Sequence, residues 1–375
     1  MSVSPPDALT AVTLPTTDEE IWRYSRIGEL DLGAYRPVDC APVVSGDTGA
    51  ALVTVLTAAS QVPDLFADEP TPDVFAELNR DGAVTVRVTV PAGATVSEPI
   101  VVTHRIPAEH ALVRPRLVIE AGADAQVTVV ERFESAADGA ALVLPVLQVA
   151  AGPAARVSYL GVNDLSERAW SIAHQQARGD RDSTVLLATV ALGGDYARVR
   201  TDARVTGPGA STRQVALYFA GGEQMHDFRT IQDHAAPHTT SDLLFKGAVQ
   251  GTARSVYTGL IRIRENAKGT VAYQTNRNLT LSDGAWAESV PNLDIQTNDV
   301  KCSHASTVGP IDPDQRFYLE SRGVRPDVAE RLVVLGFFDE VLEQLPGATA
   351  VGDLRERVTA KLDLTPSAAP AGGPA

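Results

Sequence analysis

Aromatic side chains make up only 5% of this 375-residue chain, and it carries just two cysteines and two methionines. A core packed around large rings is not expected from that palette. Cys40 and Cys302 stand far apart and form no Cys-x-x-Cys pair, so neither a disulfide framework nor an oxidising compartment is called for. Positive charge is also scarce. Lys and Arg number 32 against 47 Asp and Glu, a formal net charge of −15, which argues against a nucleic-acid backbone as the main partner. No apolar run approaches the ~20 residues of a membrane-spanning helix. The opening MSVSPPDALTAVTLPTTDEE has neither the basic start nor the apolar centre of a signal peptide. A soluble, cytoplasmic protein is the expectation. Missing too are a GxxxxGK[ST] phosphate loop, a strand–GxGxxG–helix fingerprint, a GxSxG elbow and an HExxH helix, so nucleotide hydrolysis is not encoded here.

What the chain has is apolar residues at 44%, most of them small or β-branched. Its length suits two or three domains, or one long repetitive body with appendages. From about Gly82 the text alternates apolar and polar residues: AVTVRVTVPAGATVSEPIVVTH, RPRLVIEAGADAQVTVVERF, LPVLQVAAGPAARVSYLGV, STVLLATVALGGDYARVRTDARVTGPGAS. Each run is short and rich in Val and Thr, and each ends in a Gly-Ala, Gly-Pro or Gly-Asp corner. No strict repeat length emerges. More than a dozen such strands with small-residue corners suit a β-solenoid or a large sandwich, and helical periodicity is absent from 82 to 310.

Helical text flanks this region. TTDEEIWRYSRIGELDL reads as a short helical region, with Thr17 as cap and Glu20 three residues on. PDVFAELN, residues 72–79, reads as another. After Pro326 the apolar positions 328, 332, 335, 338, 342 and 345 fall on one helix face, opened by Pro326 and closed before Pro346. VGDLRERVTAKL aligns Val351, Leu354, Val358 and Leu362 on a second. Residues 1–15 read as a loose leader, and TPSAAPAGGPA as a disordered tail.

Two constellations could bear chemistry. His234 and His238 have the i, i+4 interval of a metal pair on a helix, but Pro237 disfavours one. On a strand they would stand ~13 Å apart, too far for one ion, so both read as polar residues of strands or corners. Cys302 and His304, in VKCSHASTVGPID, differ. Residues i and i+2 of a strand share a face with Cα atoms ~6.6 Å apart. Thiolate and imidazole together suit iron, iron–sulfur or zinc chemistry. The plainer reading is a small buried hydrophobe beside a satisfied histidine. Two ligands never complete a four-coordinate site, so a second chain would have to supply the rest.

The long segment from His238, HTTSDLLFKGAVQGTARSVYTGLIRIRENAKGTVAYQTNRNLTLSDGAWAESVPNLDIQTNDVKCSHASTVGPIDPDQRFYLESRGV, resembles the SufB/SufD family of iron–sulfur cluster assembly proteins. The likeness continues to Leu345, and EEIWRYSRIGELDL is similar to the N-terminal region of SufD; residues 82–225 match in texture only. Within the family the chain is SufD-like. Thr275 stands where SufB has a cysteine, and Ser303-His304-Ala305 stands where SufB-like chains read Glu-His-Glu.

The resemblance implies a mainly β fold, a right-handed parallel β-helix between helical ends. The expected division is 1–81 as an N-terminal helical and irregular region, 82–311 as the β-helix, 312–363 as a C-terminal helical region and 364–375 as a tail. It also implies a non-catalytic scaffold subunit, paired with a SufB-like paralogue and an ABC-type ATPase, SufC-like, which alone hydrolyses ATP. His304, with Cys302 beside it, would meet a transient iron–sulfur cluster or iron at the paralogue interface. The family likeness leaves room for a flavin in the full complex. Leu332, Leu335, Phe338 and Leu342 are the expected ATPase-binding face, or else the face that packs on the β-helix. A carbohydrate-active β-helix enzyme would instead need aromatic sugar platforms, grouped acids and bases and a secretion signal. A SufB-like scaffold acting as a homodimer is opposed by Thr275.

Overall fold

A computed structural model describes residues 12–46, 48–57, 64–80, 84–107, 109–347, 349, 352 and 354–363. Most of residues 1–15 and all of the 364–375 tail lie outside the described residues, as does Val351. Eighteen strands lie between 84 and 309: two short ones, Ala111–Val113 and Ala141–Val143, pair with each other, and the other sixteen wind the solenoid. In chain order they are β1 Val84–Val90, β2 Ile100–Ile106, β3 Pro115–Ala121, β4 Gln126–Ser135, β5 Val146–Ala151, β6 Arg156–Asp164, β7 Ala169–Gly179 and β8 Thr184–Ala191. They continue as β9 Tyr196–Val205, β10 Ser211–Ala220, β11 Met225–His234, β12 Thr240–Val249, β13 Arg254–Ile263, β14 Thr270–Thr280, β15 Trp286–Ile295 and β16 Val300–Gly309. Odd strands form one parallel sheet and even strands the other, so each strand pairs with the strand two places on. The result is a parallel β-solenoid of about 8 turns, one of the two architectures the strand-and-corner texture allows and the one the family resemblance implies.

The turns are not of equal length, which is why no repeat shows in the text. Thr184 and Ser211, on neighbouring even strands, are 27 residues apart, whereas Thr239 and Thr270 are 31 apart. What does repeat is a corner. Gly93, Asp124, Ala154, Asp182, Gly209, His238 and Gly269 all have φ between 57° and 74°, one at each of the first seven odd-to-even corners. Each donates its N–H to a carbonyl of the next corner, from Gly93 to Ala123 (2.8 Å) through His238 to Lys268 (2.8 Å) and Gly269 to Asp299 (2.8 Å). Short residues suit this left-handed backbone. His238 is one step of that column.

The interior of the early turns is a narrow stack of Val, Leu, Ile and Ala. Later turns hold rings in contact: Tyr218 with Phe228, Phe228 with Phe245, and Phe245 with Tyr257, with centroids 4.6, 5.6 and 5.4 Å apart. The N-terminal end is covered. Val43–Ser45 runs antiparallel to β2 and Leu52–Leu56 antiparallel to β1.

The helical ends differ in part from expectation. Residues 17–32 form no α-helix and Thr17 caps none. There are three single 3₁₀ turns, Glu20–Trp22, Ile27–Glu29 and Leu32–Ala34. Trp22, Ile27, Leu30 and Leu32 bury themselves against Leu112, Leu142, Trp170 and Tyr196. That 22-27-30-32 spacing fits no helical period, so tertiary contact sets the path. Helix α1, Val74–Arg80, lies where residues 72–79 predict one. After β16 come α2 Pro313–Ser321, α3 Pro326–Leu342 and α4 Leu354–Asp363. Pro326 occupies the first turn of α3, and α4 buries Leu354 and Val358. The inward face of α3, however, is Val334, Leu335, Phe338 and Val341, continued beyond the helix by Leu345, and it is set on Val215, Leu217, Phe219 and Leu244 of the even sheet. The stripe read from spacing is rotated, because Leu332 turns to solvent and Val334 turns in.

Candidate functional site

The described residues cover the N-terminal end of the solenoid and leave the other bare. β15 and β16, the last turn, pair with β13 and β14 on one side only. Leu293, Ile295 and Val308 remain 40, 41 and 42% exposed.

Register fixes what this open mouth presents. Ala272, Gln274, Asn276 and Asn278 of β14 are buried, while Tyr273 and Arg277 between them are exposed, so the even numbers point inward. Cys302 pairs with Ala272, His304 with Gln274 and Ser306 with Asn276. The two residues singled out in the sequence therefore share the inward face of the last strand, two positions apart. Opposite them, Ser289, Pro291 and Leu293 of β15 follow Tyr257, Gly259 and Ile261 of β13. Thr275 pairs with Ala305 and lies on the outer face, away from the pair.

Cys302 and His304 occupy different surroundings on that face. Cys302 is half-buried beside Val300 on Ile261, Ile263, Ala267 and Ala272. Burial pushes its thiol upward from the ordinary value, so it holds its proton at neutral pH until a metal or base takes it. His304 is exposed. Beneath it the interior turns polar. Asn276 donates to the Tyr218 hydroxyl (2.9 Å), Tyr218 donates to Asn278 (2.7 Å), and Asn278 donates to Asn276 (2.8 Å). Sequence reading did not find this floor. The signal was present as a second alternating run, QTNRN, one turn before CSHAS.

The other histidine pair does not come together. His234 is buried between the hydroxyls of Thr239 and Ser241, each 2.8 Å from a ring nitrogen, and His238 is in the corner column. Both cysteines are free thiols. Among the described residues no group of three or more His, Cys, Asp or Glu side chains could hold a metal ion. Cys302 and His304 place a thiol and an imidazole two positions apart on one face, donor types whose chemistry suits iron and sulfide.

Of the helix residues singled out, Leu335 and Phe338 are buried on the even sheet, with Phe338 6.3 Å from the Phe219 ring. Leu342 is half-buried against the same cluster. Leu332 is 45% exposed, and Phe317 and Tyr318 on α2 are 70% and 59% exposed. Sequence spacing missed those two aromatics because α2 has no apolar stripe. No helix among the described residues is long and apolar enough to cross a membrane.

Comparison with known proteins gives a consistent result. The family model for the SUF system FeS cluster assembly SufBD core domain matches residues 104–337. An iron–sulfur cluster assembly SufBD family protein of Mycobacterium tuberculosis is 34% identical over 94% of this chain and 89% of its own length. A Synechocystis protein of the same description is 29% identical over 67% of this chain and 57% of its own. The iron–sulfur cluster assembly protein SufD of Escherichia coli is 30% identical over 59% of this chain and 52% of its own.

Proposed function

The chain belongs to the SufBD family of SUF iron–sulfur cluster assembly proteins, and from that premise we propose that it is the SufD-type scaffold subunit of an assembly complex. In this reading it hydrolyses nothing itself. It pairs with a SufB-like paralogue and takes mechanical work from a separate SufC-like ATPase. The nascent cluster is its cargo, held at the shared interface by His304 and, in a lesser role, by Cys302.

The observation that carries the reading is the uncovered last turn, with a thiol and an imidazole on its inward face. An edge strand offers unpaired N–H and C=O groups to a second sheet. The two edges are not equivalent. β15, WAESVPNLDI, carries Glu288, Pro291 and Asp294, the charges and proline that blunt an edge. β16, VKCSHASTVG, has no proline and one charge, Lys301. We assign the paralogue to β16, where a joining strand brings its own side chains opposite Cys302 and His304. We divide the chain accordingly: residues 1–81 brace the solenoid, 82–311 form it, 312–363 meet the ATPase, and 364–375 are a tail. The ATPase face falls to the exposed Phe317, Tyr318 and Leu332, since Leu335 and Phe338 are committed to packing.

The test uses complexes of verified stoichiometry, with iron and labile sulfide measured per complex. His304→Ala should keep both partners and lose most of the cluster. Cys302→Ala should lose less. Normal loading of His304→Ala alongside failure of Cys302→Ala would reverse the assignment, and loss of the partners in both would make the pair structural.

A further inference from the structure

His304 has a neighbour with an unmet need. Gln274 is its register partner one turn below, on the same inward face. The Gln274 amide oxygen is buried and accepts no hydrogen bond. The polar groups around it are already committed. Asn276 serves Tyr218 and the Phe245 carbonyl, Asn278 serves Asn276, and the Tyr257 hydroxyl is engaged with Thr230 at 2.9 Å. The Gln274 side chain crosses the interior to β13, where Gly259 leaves room for it. A Cβ on Gly259 would lie 2.5 and 2.7 Å from the two Gln274 amide atoms and 2.4 Å from the Tyr257 hydroxyl. Gln274 is thus the floor of the open mouth, with His304 as the next layer.

A buried carbonyl left without a donor keeps the full desolvation penalty of its lone pairs. The last turn offers two donors to this mouth: the unpartnered Ser289 hydroxyl, which stands over Tyr257 on the opposite sheet, and the His304 imidazole, which stands directly over Gln274 on the adjacent strand. We propose that Gln274 is a positioning residue: its amide oxygen accepts the N–H of His304 once a partner covers the mouth. A neutral imidazole has one donor nitrogen and one acceptor nitrogen. Anchoring the donor on the floor fixes the tautomer and turns the acceptor lone pair outward, to where the partner strand adds its ligands. This rests on His304 being an iron ligand, so the test separates the two.

The full complex is assembled anaerobically without iron, with the wild-type chain, Q274M, Q274E and H304A. Methionine keeps the length of glutamine and removes the acceptor, while glutamate keeps an acceptor. Two quantities are read: the affinity for added Fe²⁺, and the long-range ¹H–¹⁵N spectrum of the imidazoles with only this chain's histidines labelled. Q274M should lower iron affinity about 10-fold and turn the single His304 tautomer into a mixture, while Q274E keeps both properties. If Q274M fails to assemble, Gln274→Asn, which withdraws the amide by one methylene, should give the same two losses. Wild-type affinity and a single tautomer in Q274M, with iron lost in H304A, would overturn the role of Gln274 and leave His304 as ligand. Wild-type iron binding in H304A would bring down the ligand reading and this proposal with it.

Discussion

Two histidines inside the solenoid, His226 and His234, sit where water does not reach. Burial pushes His226 down to about 3, with the nearby Lys361 charge adding to the effect, and burial pushes His234 down to about 4. Both are neutral in the native state, whereas in the unfolded chain they take up a proton below about 6.5. The unfolded state then binds more protons, so stability is full above pH 6.5 and falls as the pH drops towards 4. Thermal melts between pH 6.5 and 5, above most carboxylate titration, should show a falling Tm. A His226→Gln, His234→Gln variant should show a flatter profile over that interval. An unchanged slope would mean that other groups carry the acid sensitivity. His234 also shows why the i, i+4 interval of a histidine pair is weak information. Its two nitrogens are satisfied within its own turn, and its supposed partner belongs to the corner column.

Helix α3 is held by more than its apolar face. The buried Lys246 amine donates to the Phe337 carbonyl (2.8 Å) and pairs with Glu340, and Arg213 donates to Gln344 (2.5 Å). Phe338 is fully buried beneath this clasp. Phe338→Ala should therefore cost about 3–5 kcal/mol, the range for a buried ring, and should loosen α3 together with α4. Leu332→Asp with Phe317→Asp should leave the melt within about 0.5 kcal/mol, as exposed changes do, and should abolish ATPase co-purification. A chain whose ATPase binding survives that pair of substitutions docks it elsewhere. The periodicity of α3 was legible because helix geometry is local. The direction of its buried stripe was not, because the even sheet chose it by offering Phe219 and Leu244.

Among the described residues the solenoid is covered at one end and bare at the other, and the bare edge is where the proposed paralogue would pair. Charge on the outer face of β16 should block pairing without touching the mouth. Ser303→Lys with Ala305→Lys should leave circular dichroism and Tm close to wild type, because both positions are exposed. Pairing with the paralogue should fall sharply, read as complex mass by size exclusion with light scattering. Retained pairing would place the partner on β15 or on another surface.

The sequence alone determined that short strands with small-residue corners fill most of the chain, as a solenoid or a sandwich, that helices lie near its ends, and that Cys302 and His304 share a face. Alternation, corner residues and helix capping are short-range rules, written in neighbouring residues. The resemblance carried by residues 238–345 supplied the family. Tertiary structure alone decided that the N-terminal segment makes 3₁₀ turns, that Leu335 and Phe338 face inward, and that Gln274 lies under His304. Each depends on which residues meet across turns of 26 to 32 residues, as from Trp170 to Tyr196 and from Arg254 to Trp286. That turn length varies from one coil to the next, so no fixed interval in the text records the pairing. Register is set only when whole strands align to bury one face and satisfy their backbone.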